Sequence, residues 1–189
     1  MDPKALKEAL EAYERVGKKP KAVIVVHLYG ICAKIEEITE ICRKHKVPLI
    51  EDAAESLGTI YRGRYTGTFG DYGIISFNGN KIITTSGGGM LLVNTEDAVE
   101  KAEKVLYWAT QAREPARWYQ HTEIGYNYRM SNVVAGIGRG QLKVLDRRIE
   151  KKRAIFEFYQ RRLAELSGLS FMPMPENAFC NCWLSVIQL

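Results

Sequence analysis

Three side chains in this sequence carry groups that do chemistry in combination: the carboxylate of Asp52, the hydroxyl of Ser76 and the amine of Lys81. Asp52 ends one apolar run, Ser76 ends another, and Lys81 follows shortly after. In open parallel sheets, ligands bind just beyond the carboxyl ends of the strands, so the three converge on one rim if those runs are strands of one sheet. A carboxylate can partner a protonated ring nitrogen, a hydroxyl can donate to a phosphate, and a lysine amine can condense with an aldehyde. Pyridoxal 5′-phosphate (PLP) presents all three groups. Alone, the trio is not specific, because Asp with Lys is common in βαβ proteins. Each residue also has an ordinary structural role open to it: Asp52 as a turn cap, Ser76 as a core serine bonded to backbone, Lys81 as a solvated loop lysine.

The elements that must position these residues are legible from hydrophobic pattern. Asp2 can cap a helix with Pro3 at its first position and an apolar stripe of Leu6, Ala9, Leu10 and Tyr13, stopped by Gly17 and Pro20. Residues 22–28 are short, apolar and β-branched, the pattern of a strand buried on both faces. A helix over about 33–45, with Ile35, Ile38, Ile41 and Cys42 inward, leads to a strand over 47–52 that ends in Glu51 and Asp52. Strand, helix and strand in this order predict a βαβ unit and a parallel sheet. Further strands are expected over 72–77 and 87–93, then a helix over 96–108 capped by Thr95, and a surface loop over 111–128. One long helical region is expected from Ser131 to about Leu166, and strands of a second module over 171–187.

Composition bounds the function. The chain has 189 residues, 46% hydrophobic and 26% charged, which suits an ordinary globular domain and excludes collagen, disorder and disulfide miniproteins. No apolar run approaches the roughly 20 residues a membrane helix needs, and the charged start does not resemble a signal peptide. Cys32, Cys42, Cys180 and Cys182 show no metal-ligand spacing, so reduced thiols in a cytoplasm are expected. The net charge of +5 is concentrated in residues 139–162, where nine basic residues meet only Asp146, Glu150 and Glu157. Leu142, Leu145, Ile149, Phe156, Tyr159 and Leu163 recur there at helical spacing, so the basic residues read as a solvated helix face and not as a nucleic-acid surface.

Five segments together narrow the reading. They are Glu51-Asp52-Ala53-Ala54-Glu55-Ser56-Leu57-Gly58, Gly67-Thr68-Phe69-Gly70-Asp71, Ser76-Phe77-Asn78-Gly79-Asn80-Lys81, Thr84-Thr85-Ser86-Gly87-Gly88-Gly89-Met90 and Gly125-Tyr126-Asn127-Tyr128-Arg129-Met130-Ser131-Asn132. In this order and spacing the chain resembles the PLP-dependent sugar aminotransferases of the DegT/StrS family, and most closely the branch acting on nucleotide-linked 4-keto sugars in surface-glycan or polysaccharide synthesis. The resemblance implies Lys81 as the Schiff-base lysine and proton shuttle, and Asp52 as partner of the pyridine nitrogen. It implies Glu55 beside the phenolic oxygen, Ser76 on the phosphate, and Asn127 reaching the phosphate of a neighbouring subunit in a homodimer. Relatives that dehydrate sugars carry histidine in place of this lysine, so Lys81 favours transamination. His27 is read as a structural histidine.

The same resemblance implies an α/β fold, a partial fold-type I PLP-transferase large domain (three-layer, mostly parallel sheet) with the start of a small α+β domain. The expected division is 1–130 for the central part of the large domain, 131–166 for a helical connection, and 167–189 for the start of the small domain. Ile31 and Lys34 depart from the family pattern, and Lys34 is mildly unfavourable where a helix begins. Nothing matches the family's upstream segment with its Gly-Thr phosphate turn and stacking aromatic. Two expectations therefore stand: an enzyme that takes an amino donor such as glutamate and a nucleotide-linked keto sugar, or a non-catalytic fragment of one that folds or dimerises.

Overall fold

The computed structural model describes residues 1–189. Helix α1 (Pro3–Arg15) starts as its punctuation predicts, with the Asp2 carboxylate accepting from the Lys4 and Ala5 backbone N–H groups. Strand β1 (Val23–Val26), helix α2 (Ile35–Lys44) and strand β2 (Leu49–Asp52) form the βαβ unit, with β1 and β2 parallel. Strand β5 (Tyr72–Ser76) adds in parallel to β2, and β6 (Gly89–Val93) closes the order β1-β2-β5-β6 in antiparallel fashion. Between β2 and β5 lies a small hairpin, β3 (Ile60–Tyr61) and β4 (Arg64–Tyr65), that the glycine-rich sequence conceals. Its two-residue turn, Arg62-Gly63, has both residues at positive φ, the geometry that matches strand twist.

Burial is one-sided. Leu6, Leu10, Ile35, Ile38 and Cys42 of α1 and α2 pack with Val23, Val25 and Leu49 on one face of the sheet. Each large aliphatic side chain removed from water there contributes about 2 kcal/mol. On the other face Ile24, Val26 and Ile74 stay 57%, 41% and 40% exposed. The expected burial of β1 on both faces is thus not observed, because α1 and α2 both dock on the same side.

Strand alternation sends neighbouring residues to opposite faces, and this separates Glu51 from Asp52. Glu51 points inward and is wholly buried, while Asp52 lies on the open face. The Glu51 carboxylate accepts from His27 Nε2 at 2.9 Å and Gly67 N at 2.8 Å, and from the backbone N–H groups of Phe69 and Gly70. His27 Nδ1 accepts from Ala33 N at 3.1 Å, which places the ring proton on Nε2. One buried anion therefore ties β1, β2 and the loop entering β5. Gly70 can pass so close only as glycine, since a Cβ there would lie 2.6 Å from the Leu49 carbonyl oxygen.

Three helices follow. Helix α3 (Ala98–Ala109) has Asp97 and not Thr95 at its N-cap position; the Thr95 carbonyl instead accepts from Ala98 N in the preceding turn. The expected single helix from Ser131 to Leu166 is two, α4 (Asn132–Leu142) and α5 (Leu145–Leu163), because the backbone at Val144 leaves helical values. Helix α4 begins at the expected place, and Ser131 caps it by accepting from Val134 N. On α5, Ile149 and Phe156 are buried, while Arg147, Arg148, Lys151, Arg161 and Arg162 face solvent. No helix is long and apolar enough to cross a membrane.

Of the strands expected over 171–187, the C-terminal segment forms only short ones. Short strands β7 (Ser170–Phe171) and β9 (Ile187–Gln188) pair with each other, and β8 (Ala178–Phe179) pairs with β3. Between β8 and β9 the chain plugs into the sheet domain through Asn181, which is fully buried. Its Nδ2 donates to the Glu55 and Leu57 carbonyls, both at 3.0 Å, and its Oδ1 accepts from Trp183 N at 2.9 Å. Arg153 of α5, counted among the solvated basic residues in the sequence, donates to the Cys180 carbonyl at 2.8 Å. All four cysteines are free and buried; burial pushes the Cys32 thiol up to about 12 and those of Cys42 and Cys182 to about 11, so none is a thiolate nucleophile at neutral pH.

Two outcomes follow from these hubs. Burial alone would raise the Glu51 carboxyl, but hydrogen bonds from His27 and from the Gly70 and Gly67 amides outweigh it and hold the group below the ordinary glutamate value. A depressed folded-state value gives stability that is complete above the unfolded value of about 4.3 and lost as pH falls toward the folded one. Glu51→Gln should lower the unfolding free energy by about 3 kcal/mol at neutral pH, since one amide oxygen cannot serve these donors. Urea titrations of both chains between pH 3 and 7 check the loss and a flatter acid limb in the variant. Asn181→Ala should cost about 2–4 kcal/mol by stranding buried backbone groups, and limited proteolysis should then release the segment after residue 179.

Candidate active site

The carboxyl ends of β1, β2 and β5 form one rim. Asp52 closes β2 on the open face, where its Oδ1 accepts from Ala54 N at 3.1 Å. That short bond is the turn-capping role weighed from the sequence, and it occupies one oxygen of two. Asp52 pairs in register with Ile74, and Ser76 lies two residues further along the same face of β5, about 7 Å along the strand. Ser76 Oγ accepts from Asn78 N at 3.3 Å, which leaves its hydroxyl hydrogen free to donate outward.

Beyond Ser76 the chain turns, with Lys81 N donating to the Asn78 carbonyl at 3.1 Å. The turn carries Lys81 back to the β2 loop, where its Nζ lies 3.6 Å from Glu55 Oε1. It also lies 4.5 Å from the ring centre of Trp183. The side chain is only 13% exposed, so Lys81 is not a solvated loop lysine. Glu55 is fixed from its other oxygen, which accepts from Tyr29 N at 2.6 Å. Tyr29 holds the left-handed conformation, with φ 58, that non-glycine residues avoid. The Glu55 bond and Leu184 N donating to the Tyr29 carbonyl both act on that strained residue.

Of the residues singled out in the sequence, Asp52, Glu55, Ser76 and Lys81 thus share one rim. Asn127 stands apart, exposed in the loop after α3, its backbone bridged to Thr110 and its side chain in a shallow cleft with Arg129 and Ser131. His27, read from the sequence only as a structural histidine, is the buried partner of Glu51. Sequence reasoning missed Trp183 and Asn181, which arrive from about a hundred residues downstream through side-chain-to-backbone bonds that leave no periodic pattern. It also passed over Tyr29, whose Tyr29-Gly30 turn is a local signal: a Cβ at Gly30 would stand 1.9 Å from Asn181 Oδ1.

The donor set fits PLP. Asp52 keeps one carboxylate oxygen uncommitted for a ring N–H, Ser76 keeps a hydroxyl donor, and Lys81 supplies a half-enclosed amine close to both elements. A cavity of about 580 Å³ elsewhere, lined by Ile75, Leu92, Leu145 and Ile149, contains none of these groups and lies on the opposite face of the sheet.

Comparison with known proteins agrees with this chemistry. The DegT/DnrJ/EryC1/StrS aminotransferase family profile matches residues 1–189. EpsN of Bacillus subtilis (strain 168), provisionally designated a pyridoxal phosphate-dependent aminotransferase, is 57% identical over 189 residues, which is 100% of this chain and 48% of EpsN. GDP-perosamine synthase of Vibrio cholerae is 38% identical over 192 aligned residues, covering 100% of this chain and 51% of that protein. Among solved structures, the aminotransferase TlmJ of Streptoalloteichus hindustanus superposes with a TM-score of 0.82 at 32% identity, covering 92% of this chain and 47% of TlmJ. The chain spans about half the length of the curated relatives it matches. With its mostly parallel α/β sheet and its PLP-type donor set, the chain belongs to the DegT/DnrJ/EryC1/StrS aminotransferase family, whose cofactor is pyridoxal 5′-phosphate.

Proposed function

We propose that this chain carries the cofactor-binding core of a sugar aminotransferase that moves an amino group from glutamate to a nucleotide-linked keto sugar in surface-polysaccharide or glycan synthesis. The observation that carries the reading is the half-buried Lys81 amine held beside Glu55 on the rim that also bears Asp52 and Ser76. The GDP-sugar in the name of the Vibrio cholerae relative supports the acceptor class.

When bound, PLP supplies an electron sink for the charge that develops on the donor's α-carbon. The protein's own part is binding and proton control. Asp52 would hold a proton on the ring nitrogen, and Ser76 would donate to a phosphate oxygen. Lys81 Nζ would hold the cofactor aldehyde carbon and, once displaced by the donor amine, carry a proton between the donor's α-carbon and that carbon. Glu55, clamped by Tyr29 N, would line the phenolic side of the ring. Asn127, exposed and remote from these four, would act on a second copy of the chain in a homodimer. Four buried free thiols suit a reducing compartment, which we take to be the cytoplasm.

A second reading, a chain that folds and pairs without turnover, is favoured by the uncovered Ile24, Val26 and Ile74 on the open face. One experiment addresses both. Incubation with PLP should give an imine absorbance that borohydride fixes at Lys81 by peptide mass, absent in Lys81→Ala; an adduct that persists in that variant, or none in the native chain, would overturn the site. Turnover of glutamate and a nucleotide-linked 4-keto sugar supports the enzyme, and an adduct without turnover supports the second reading. In an active protein Asp52→Asn should lower kcat about 100-fold or more with unchanged urea midpoint, whereas equal loss of both would make Asp52 structural.

A further inference from the structure

We propose that Trp183 is the positioning residue for Lys81, an inference that rests on Lys81 being the cofactor-binding amine. The indole meets Lys81 at both ends. Its Nε1–H donates to the Asn80 carbonyl at 2.8 Å, which fixes the peptide immediately before Lys81. Its ring face lies 4.5 Å from Lys81 Nζ, so the ammonium rests on the negative side of the π system. A lysine has four flexible methylenes and a single point charge, and it holds no direction unless something else sets it. Here two groups do so, the Trp183 ring below and the Glu55 carboxylate at 3.6 Å beside it.

Trp183 is itself rigid. It is 6% exposed and packs with Ile82 and Ile149. Its backbone N–H is held by Asn181 Oδ1, whose amide nitrogen also grips the Glu55 and Leu57 carbonyls. Asn181 thus sets the distance between the two groups that flank the lysine: it fixes the backbone of Glu55 and the backbone of Trp183 at once. The C-terminal plug places an aromatic platform under an amine that lies more than a hundred residues upstream.

The test reads Lys81 with and without cofactor. Trp183→Met keeps an apolar side chain but removes the ring and the N–H; Trp183→Phe keeps a smaller aromatic ring and loses the N–H. In trace acetylation without PLP, quantified lysine by lysine by peptide mass, Lys81 labelling relative to the other lysines should rise about fivefold in Trp183→Met and stay within about twofold in Trp183→Phe. Unchanged Lys81 labelling in Trp183→Met, or a rise shared equally by all lysines, would overturn the assignment. The native chain provides a check free of substitution. The indole ring current should shift the Lys81 ε-methylene protons upfield of the other lysines, and that signal should vanish in Lys81→Ala; no such signal would overturn the contact. If the acetylation contrast holds but PLP fails to label Lys81 in the native chain, the cofactor reading falls while the ring–ammonium contact stands.

Discussion

The buried Glu51 carboxylate is the constraint on which the site depends. It is a charge without water, tolerable only because His27 and the amides of Gly67, Phe69 and Gly70 together saturate it. Those donors come from the end of β1 and from the loop that delivers β5. Strand alternation then does the rest. With Glu51 locked inward, the next residue must face the other side, and Asp52 is presented to the open rim in a fixed rotation. A slip of one residue would exchange the two carboxylates and place Asp52 in the core.

A second hub joins different segments. Asn181 crosses from the C-terminal segment to the loop after β2, and its neighbours Cys180 and Cys182 are buried against the α2 side of the core. Thr59 relays between them, accepting from Asn181 N and donating to the Gly30 carbonyl at 2.8 Å. The rim therefore has a floor built from the C-terminal segment and from residues 30–59. Its lysine is flanked by one carboxylate and one aromatic ring, each held by backbone bonds to the same asparagine.

Legibility in the sequence followed the range of the forces involved. The βαβ unit, the Asp2 cap, the helix start at Ser131 and the strand ending in Asp52 were readable because propensity, period and capping are local. The rim residues were readable because Asp52 and Ser76 fell at strand ends, Lys81 followed shortly after, and five motifs stood in register. The split at Val144 was not readable, since the apolar spacing continues across it. Nor was the one-sided burial of β1: a run of valine and isoleucine looks alike whether one face or two are covered. The β3–β4 hairpin and the Asn181 plug depend on hydrogen bonds between distant backbone segments, which composition and periodicity do not encode.

The most direct measurement is the ¹⁵N chemical shift of the ring nitrogen in ¹⁵N-labelled PLP bound to the chain. If Glu51 fixes β2 so that the Asp52 carboxylate faces the cofactor, the nitrogen should appear protonated, and Asp52→Asn should move it to the neutral pyridine range. A neutral nitrogen in the native chain, or a shift that Asp52→Asn leaves unchanged, would contradict this placement of the two carboxylates.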